Sequence, residues 1–175
     1  DLKAYAAVDA NMSSTPSWSA SAGIPSSDKR KIFTWNGTAG ASFPTATQLA
    51  SLARTTAPAI SAADNAAYVA GSTDNEIRNG GAMRNRFIEQ DSVIRDALLG
   101  DIVGSSPAYS SDTKTVYAGA NDGMLHAFDA ATGVEQFAYV PSAINFSDLA
   151  NLSSPKYSHR YFVDGPVILS TRTQT

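Results

Sequence analysis

Two tight turns in the second half of the sequence constrain its fold more than any other feature. The first is Asn121-Asp122-Gly123 and the second is Thr132-Gly133. Asn, Asp and Gly readily supply the positive backbone dihedrals that a hairpin turn needs. Strand-like sequences flank these turns at 115–120, 124–129 and 134–140. The pattern therefore predicts a three-stranded antiparallel meander.

A meander of this kind forms most of one blade of a β-propeller, and a single blade does not bury its apolar face alone. A second copy of the pattern begins near residue 2, where Leu2-Lys3-Ala4-Tyr5 aligns with Leu125-His126-Ala127-Phe128. In this alignment Trp18 corresponds to Phe137. We therefore predict an all-β fold, a partial β-propeller of antiparallel meanders with a small helical insertion.

Composition excludes several classes of function. The chain has 175 residues, a net charge of −3 and no cysteine. A nucleic-acid surface would need clustered Lys and Arg, and the basic residues here are scattered. The absence of cysteine excludes thiol catalysis, disulfides and thiolate metal sites. The sequence contains no apolar run near the roughly 20 residues of a membrane helix, so we predict no transmembrane segment.

We predict one propeller domain in four consecutive parts, and a few elements within them. Ser61 followed by Asp64 resembles a helix start and predicts a helix over 62–70, whereas 87–99 has no clear period and is predicted to be mostly irregular. Pro141 suits the first turn of a helix running to about Leu152. Both chain ends lie in strand-like sequence, so we expect the protein to continue beyond them. The four parts are 1–44 (first blade strands), 45–97 (helical and loop insertion), 98–140 (blade meander) and 141–175 (helix and start of the next blade, with strands at 161–164 and 167–169).

The segment 127–137 resembles the blade motif of quinoprotein-type propellers, in which Ala-x-Asp is followed by Thr-Gly and then by Trp. Asp129 is expected to accept backbone N–H bonds within the turn, and Gly133 to adopt a left-handed conformation. Phe137 stands at the tryptophan position, where an aromatic ring packs flat between neighbouring blades. Phe137 keeps the packing role but lacks the indole N–H.

A longer resemblance covers most of the chain. It is strongest in four segments, and it extends upstream to 2–5, 18–20 and 30–37. Together these segments resemble the C-terminal propeller of the PilC/PilY family of type IV pilus biogenesis factors and tip adhesins. The four segments are Leu99–Pro107, Val116–Phe128, Phe137–Ser142 and Tyr157–Gly165.

The resemblance implies a non-enzymatic protein that is exported to the pilus tip or the outer surface of a bacterium. Its implied partners are minor pilins, the pilus fibre, and the host or abiotic surface to which the pilus attaches. Its implied roles are priming of pilus assembly, opposition to retraction, adhesion and twitching motility. Some members bind calcium in an Asp/Asn-rich loop. That spacing does not occur here, so we expect any calcium loop to lie beyond Thr175.

Individual polar residues favour structural roles. His126 lies in a predicted strand with no second ligand nearby, which favours a structural or exposed histidine over a metal ligand. His159, Arg160 and Asp164 could suggest acid–base chemistry, but a hydrogen-bonded blade junction explains them better.

Other candidates have equally simple explanations. Asp101 and Asp122 are expected to cap turns rather than bind cations. The segment Arg84-Asn85-Arg86 is expected to be a solvated surface, and Asn79-Gly80-Gly81 lacks the context of a phosphate loop. We therefore predict no catalytic, cofactor-binding or metal-binding residue. Two alternatives stay open, a quinone-cofactor-dependent propeller dehydrogenase and an outer-membrane assembly scaffold.

Overall fold

The structure, a computed structural model, describes residues 1–9, 11–90 and 92–170. Strands and loops dominate it, which confirms the all-β class in its coarse form. In chain order the strands are β1 (Lys3–Ala4), β2 (Ala7–Val8), β3 (Asn11–Met12), β4 (Trp18–Ser19), β5 (Ile32–Trp35), β6 (Gly40–Ser42), β7 (Phe87–Gln90), β8 (Val93–Asp96), β9 (Ala108–Ser110), β10 (Thr115–Ala120), β11 (Met124–Asp129) and β12 (Glu135–Val140). The α-helices are α1 (Ala46–Ser51), α2 (Ala62–Val69) and α3 (Phe146–Leu149), and short 3₁₀ turns cover Ala20–Gly23, Ile77–Asn79 and Ala150–Ser153.

The predicted meander is present as strands β10, β11 and β12, with β9 added at its outer side. All three of these pairings are antiparallel. Gly123 has φ of 93° and Gly133 has φ of 73°, so both turns use the left-handed backbone that glycine tolerates best. Asp129 Oδ1 accepts the backbone N–H groups of Ala131 and Thr132, as an Asx-type turn requires.

The meander continues into a larger sheet of six strands, in the order β6-β5-β12-β11-β10-β9. Strand β5 pairs with β12 in parallel, with Ile32 opposite Ala138. Local sequence does not indicate this pairing, because its two strands are about a hundred residues apart. The buried Thr34 reinforces it, since its hydroxyl donates to Val140 O at 2.8 Å.

The internal repeat is visible in the strand register. Ala4 lies opposite Trp18 in the β1–β4 pair, and Ala127 lies opposite Phe137 in the β11–β12 pair. The sequence alignment of the two copies predicts this correspondence. Trp18 also contacts the second copy directly, because its indole N–H donates to Ala130 O at 3.0 Å.

Phe137 contacts two aromatic rings of its own sheet. Its ring meets Phe33 and Tyr117 edge-on, at centroid distances of 6.1 and 6.4 Å. Phe33 lies on β5, which pairs with β12, whereas Tyr117 lies on β10, two strands away from β12 in the same sheet. The ring therefore packs across one sheet, and its expected packing between two blades stays a prediction.

The insertion supplies helices that pack on the main sheet and close the core. Ser61 caps α2 by accepting the N–H of Asp64, as predicted, and Thr45 and Gln48 form a capping box at the start of α1. The core that these elements bury includes Leu52, Tyr68, Val69, Met83, Met124, Val140 and Leu149. No helix in the described ranges is long and apolar enough to cross a membrane.

Four predicted elements differ from the structure. The span 87–99 contains the β7–β8 hairpin, whose described side chains are exposed on both faces, so its sequence lacks the alternation of a half-buried strand. The helix expected from Pro141 begins only at α3, because Asn145 caps it by accepting the N–H groups of Ser147 and Asp148. No strand forms at 161–164 or 167–169, where part of the backbone bonds to side chains instead. The end of the last predicted part, 171–175, lies outside the described residues.

Candidate ligand-binding cavity

A buried ionic cluster joins Arg30 to the meander and borders the cavity through Asp122. Arg30 donates to both carboxylate oxygens of Glu135, with 2.7 Å for each contact. His126 is fully buried, and its Nδ1 lies 2.7 Å from Glu135 Oε1 while its Nε2 lies 3.1 Å from Asp122 Oδ2. Four ionisable groups from the chain's two halves thus form one connected network.

The network holds all of its members ionised. Burial alone would lower the pKa of His126, but the charges and hydrogen bonds of Asp122 and Glu135 raise it to about 9. Burial would raise the pKa values of the two carboxyl groups, yet both pKa values lie below their ordinary range. The His126 hydrogen bond and charge lower both, and Arg30 contributes at Glu135. His126 is therefore a protonated structural residue at neutral pH, with both ring nitrogens donating.

Asp122 connects this network to the cavity wall. Its Oδ2 accepts the N–H of Gly100 at 2.9 Å, and its Oδ1 accepts that of Met124 at 3.1 Å. A Cβ atom at Gly100 would lie 2.3 Å from the backbone nitrogen of Asp122, so only glycine permits this approach. The prediction that Asp122 caps a turn is confirmed, and the same carboxylate also fixes the loop before β9.

The cavity has a volume of about 280 Å³ and lies where several loops meet. Its wall combines residues from segments 68–69, 84–87, 97–101, 121–122 and 152–159. These segments are distant in sequence, so no single motif marks the cavity. Aromatic rings, two guanidinium groups and two carboxylates contribute to its lining.

One side of the cavity is a saturated ion-pair network. Arg86 donates from Nε to Glu76 Oε1 at 3.0 Å, and its guanidinium lies 3.6 Å from the centre of the Tyr68 ring. Glu76 is fully buried and also accepts Arg78 Nε at 2.8 Å. Arg86 further donates to Tyr68 O at 2.7 Å and to Ser72 O. These groups stabilise the wall and leave Arg86 little capacity for a ligand.

Arg84 is bound differently. Its Nε donates to Leu152 O at 3.0 Å, and its guanidinium lies 4.6 Å from the centre of the Tyr157 ring. The backbone carbonyl of Arg84 accepts the buried Tyr68 hydroxyl at 3.1 Å. Burial raises the pKa of Tyr68, so this hydroxyl stays protonated as a donor. The backbone and the Nε of Arg84 are thus fixed, and the residue lines the cavity.

Asp101 is a second polar group in the cavity wall. Its Oδ2 lies 2.7 Å from His159 Nε2 and accepts the Asn121 amide at 3.2 Å. Burial would raise the pKa of Asp101, but the hydrogen bonds from His159 and Asn121 lower it overall. Asn121 is nearly fully buried, and its Oδ1 accepts the N–H of Phe162 at 3.0 Å. The amide therefore positions the carboxylate from behind.

His159, Arg160 and Asp164 each bond to a residue from elsewhere in the chain. His159 pairs with Asp101, Arg160 Nη1 lies 3.1 Å from an oxygen of Asp148, and Asp164 accepts the N–H of Gly104. The structural interpretation of these residues fits the contacts, but their partners come from elsewhere in the chain.

The solvated surface predicted for residues 84–86 is wrong, because all three are partly buried and line the cavity. Their ion pairs and ring contacts with distant residues compensate for the burial of their charges. A signal in the sequence does exist for the other ionic network. His126 shares one strand face with Met124 and Phe128, so its period-2 position indicates burial.

Metal binding finds no support in this region. Across residues 1–9, 11–90 and 92–170, no group of three or more His, Cys, Asp or Glu side chains is placed to hold an ion. We therefore assign no calcium ligand to the described residues.

The fold and the cavity define a β-sheet module made of strand–turn–strand units, with a polar cavity walled by loops. No protein-family profile matches the chain, and no solved structure matches it either. Curated relatives do match. A type IV pilus biogenesis factor PilY1 homolog of Xylella fastidiosa is 33% identical over 196 aligned positions, which cover 94% of this chain and 14% of the relative.

Further relatives carry the same description. PilY1 of Pseudomonas aeruginosa strain UCBPP-PA14 is 37% identical over 132 positions, covering 55% of this chain and 11% of the relative. PilY1 of strain PAO1 is 38% identical over 105 positions. The chain belongs to the PilY1 family. It spans about a seventh or less of the length of these relatives.

Proposed function

We propose that this chain is a structural, non-enzymatic part of the machinery that builds type IV pili. The observation that carries the proposal is the similarity to PilY1 proteins, which extends over 94% of the chain. Those relatives are described as type IV pilus biogenesis factors. A segment that is similar along nearly its whole length shares the fold of the corresponding region and contributes to the same process.

We further propose that the chain is part of a β-propeller. Support comes from the shared register of the two repeat copies and from the Trp18 indole, which bonds to the turn of the second copy. A ring of such modules would be mechanically stiff, because each module is joined to the next by buried aromatic contacts. Stiffness suits a protein that transmits force between a pilus and a surface.

The proposed partners are minor pilins, the pilus fibre and the surface to which the pilus attaches, and the proposed location is the bacterial exterior or pilus tip. Loops on a rigid sheet commonly supply such contacts. No feature of the described residues favours the quinone-dependent dehydrogenase or the separate outer-membrane scaffold as a second proposal. Calcium binding elsewhere in the protein stays an expectation from the family resemblance.

Complementation in the native bacterium tests the proposal. Deletion of the gene should abolish surface pili and twitching, and the natural full-length protein should restore both. Arg30→Met, which removes a fully buried ion pair, should fail to restore them. Arg160→Met is a matched control, because the Arg160 side chain is 51% exposed, and it should restore both.

Two measurements then address the finer claims. Minor pilins should co-purify with the natural full-length protein and with the Arg160→Met variant. Gold-labelled antibody should mark the cell exterior or pilus tips. Unchanged piliation and twitching in the deletion strain would reject the proposed function, and label confined to the cell interior would reject the proposed location.

A further inference from the structure

The inference starts from a cation that faces the cavity without a counter-ion. The Nε of Arg84 is occupied by Leu152 O, but neither of its Nη groups has a hydrogen-bond partner among the described residues. In the same part of the chain, no carboxylate oxygen lies within 4.0 Å of its nitrogens. Tyr157 holds the guanidinium plane in place at 4.6 Å. The free end of the guanidinium is therefore positioned before any ligand arrives.

The other charged groups of the cavity wall each contact a side chain that can carry the opposite charge. Arg86 pairs with Glu76, and Asp122 pairs with His126. Asp101 lies against His159. Arg84 has no such partner among the described residues, and its planar pair of Nη donors matches the two oxygens of a carboxylate. The charge pattern thus favours a ligand with a single carboxylate.

Asp101 adds a second requirement. Its contacts with His159 and Asn121 both use Oδ2, so Oδ1 can accept a hydrogen bond from a ligand. The Asp101 side chain is 51% exposed, which makes this oxygen reachable. A carboxylate repels a multiply charged anion such as phosphate but accepts a hydroxyl group. The ligand should therefore carry both a carboxylate and hydroxyl donors.

Volume limits the size of the ligand. The cavity of about 280 Å³ lies just below the roughly 300–1,000 Å³ of sites for drug-sized molecules. We propose that this cavity binds a sugar acid of monosaccharide size, with its carboxylate on Arg84 and a hydroxyl on Asp101. This binding site does not depend on the proposed role in pilus biogenesis.

Calorimetric titration of the natural full-length protein tests the proposal, with glucuronate as the probe. Three comparison ligands separate its parts. Glucose keeps the hydroxylated ring without the carboxylate, acetate keeps the carboxylate without the ring, and glutamate supplies a carboxylate with an ammonium donor. Glucuronate should bind saturably and at least tenfold more tightly than each of the three.

Variants locate the binding. Arg84→Gln should weaken glucuronate binding at least tenfold, and Arg84→Lys should recover only part of it, because an ammonium lacks the planar pair of donors. Asp101→Asn should also weaken binding while leaving acetate unaffected. Arg160→Gln removes the same charge outside the cavity and should bind like the natural protein. Circular dichroism and thermal melting should show that each variant is folded.

Each possible result either supports or overturns the proposed sugar-acid site. The expected order of ligands together with the Arg84→Gln loss supports the site. Absence of saturable glucuronate binding, or equal binding by a folded Arg84→Gln variant, overturns it. Tighter binding of glutamate than of glucuronate overturns the sugar-acid assignment. If Arg84→Gln does not fold, the Asp101→Asn variant and the ligand series give the same decision.

Discussion

An added methyl group at Gly133 should destabilise the fold for two separate reasons. Its φ of 73° lies in the left-handed region, where a non-glycine residue costs about 1–2 kcal/mol. A Cβ atom there would also lie 2.6 Å from two ring atoms of Trp18. Gly133→Ala therefore combines a backbone cost with a collision against the contact that joins the two repeat copies.

The collision has its own magnitude. Trp18 must move away, and it then loses its hydrogen bond to Ala130 O, which is worth about 1 kcal/mol, along with some of its packing. The sum predicts a loss of about 3 kcal/mol in the free energy of unfolding for Gly133→Ala. Equilibrium urea denaturation measures this loss directly.

Gly80→Ala is a matched control. Gly80 has φ of 86°, but no atom outside its chain neighbours lies within 4 Å of the added Cβ position. It should lose only the backbone cost of about 1–2 kcal/mol. A double variant of Gly133→Ala with Trp18→Ala should lose less than the sum of the two single variants, because the collision is gone. Equal losses for Gly133→Ala and Gly80→Ala would refute the reasoning.

Three further predictions concern pH, the buried ion pair and a helix cap. Because the folded-state pKa of His126 is about 9 and the unfolded value about 6.5, its stabilisation is complete below pH 6.5. It is lost as pH rises through 9, so thermal melting from pH 6 to pH 10 should show a fall on the order of 3 kcal/mol that a His126→Gln variant lacks. Arg30→Met removes one partner of a buried pair and should cost about 3–5 kcal/mol in urea, and an added Glu135→Met should recover part of it. Ser61→Ala removes the cap of α2 and should cost about 1 kcal/mol, whereas a neutral result would show that Ser61 does not stabilise the helix.

Local features of the fold could be predicted because their causes are local. The two glycine turns and the Ser61 cap depend on residues within four positions of one another. Even the register of the repeat followed from sequence, since aligning Ala4 with Ala127 also aligns Trp18 with Phe137. The β7–β8 hairpin was missed because its strands expose both faces and so carry charges among the apolar residues.

Long-range features escaped prediction for the opposite reason. The pairing of β5 with β12, and the meeting of Arg84 with Asp101 around one cavity, depend on how distant segments pack. Nothing near Arg84 in sequence indicates that Tyr157 will cover it. His126 was expected to be a structural or exposed histidine; its place among apolar strand residues is a signal that could have indicated burial, although not its carboxylate partners.

The parallel pairing of β5 with β12 also delays the folding of β5 during synthesis. On the ribosome, Thr34 is made well before Val140, its partner 106 residues later. At about 5–20 residues per second, this strand waits roughly 5–20 s for the partner to be synthesised. Its sequence Ile-Phe-Thr-Trp is apolar and rich in residues that favour strands. A nascent chain that contains β5 but not yet β12 therefore exposes an aggregation-prone segment. Chaperone binding to newly made protein should therefore map to residues 32–35.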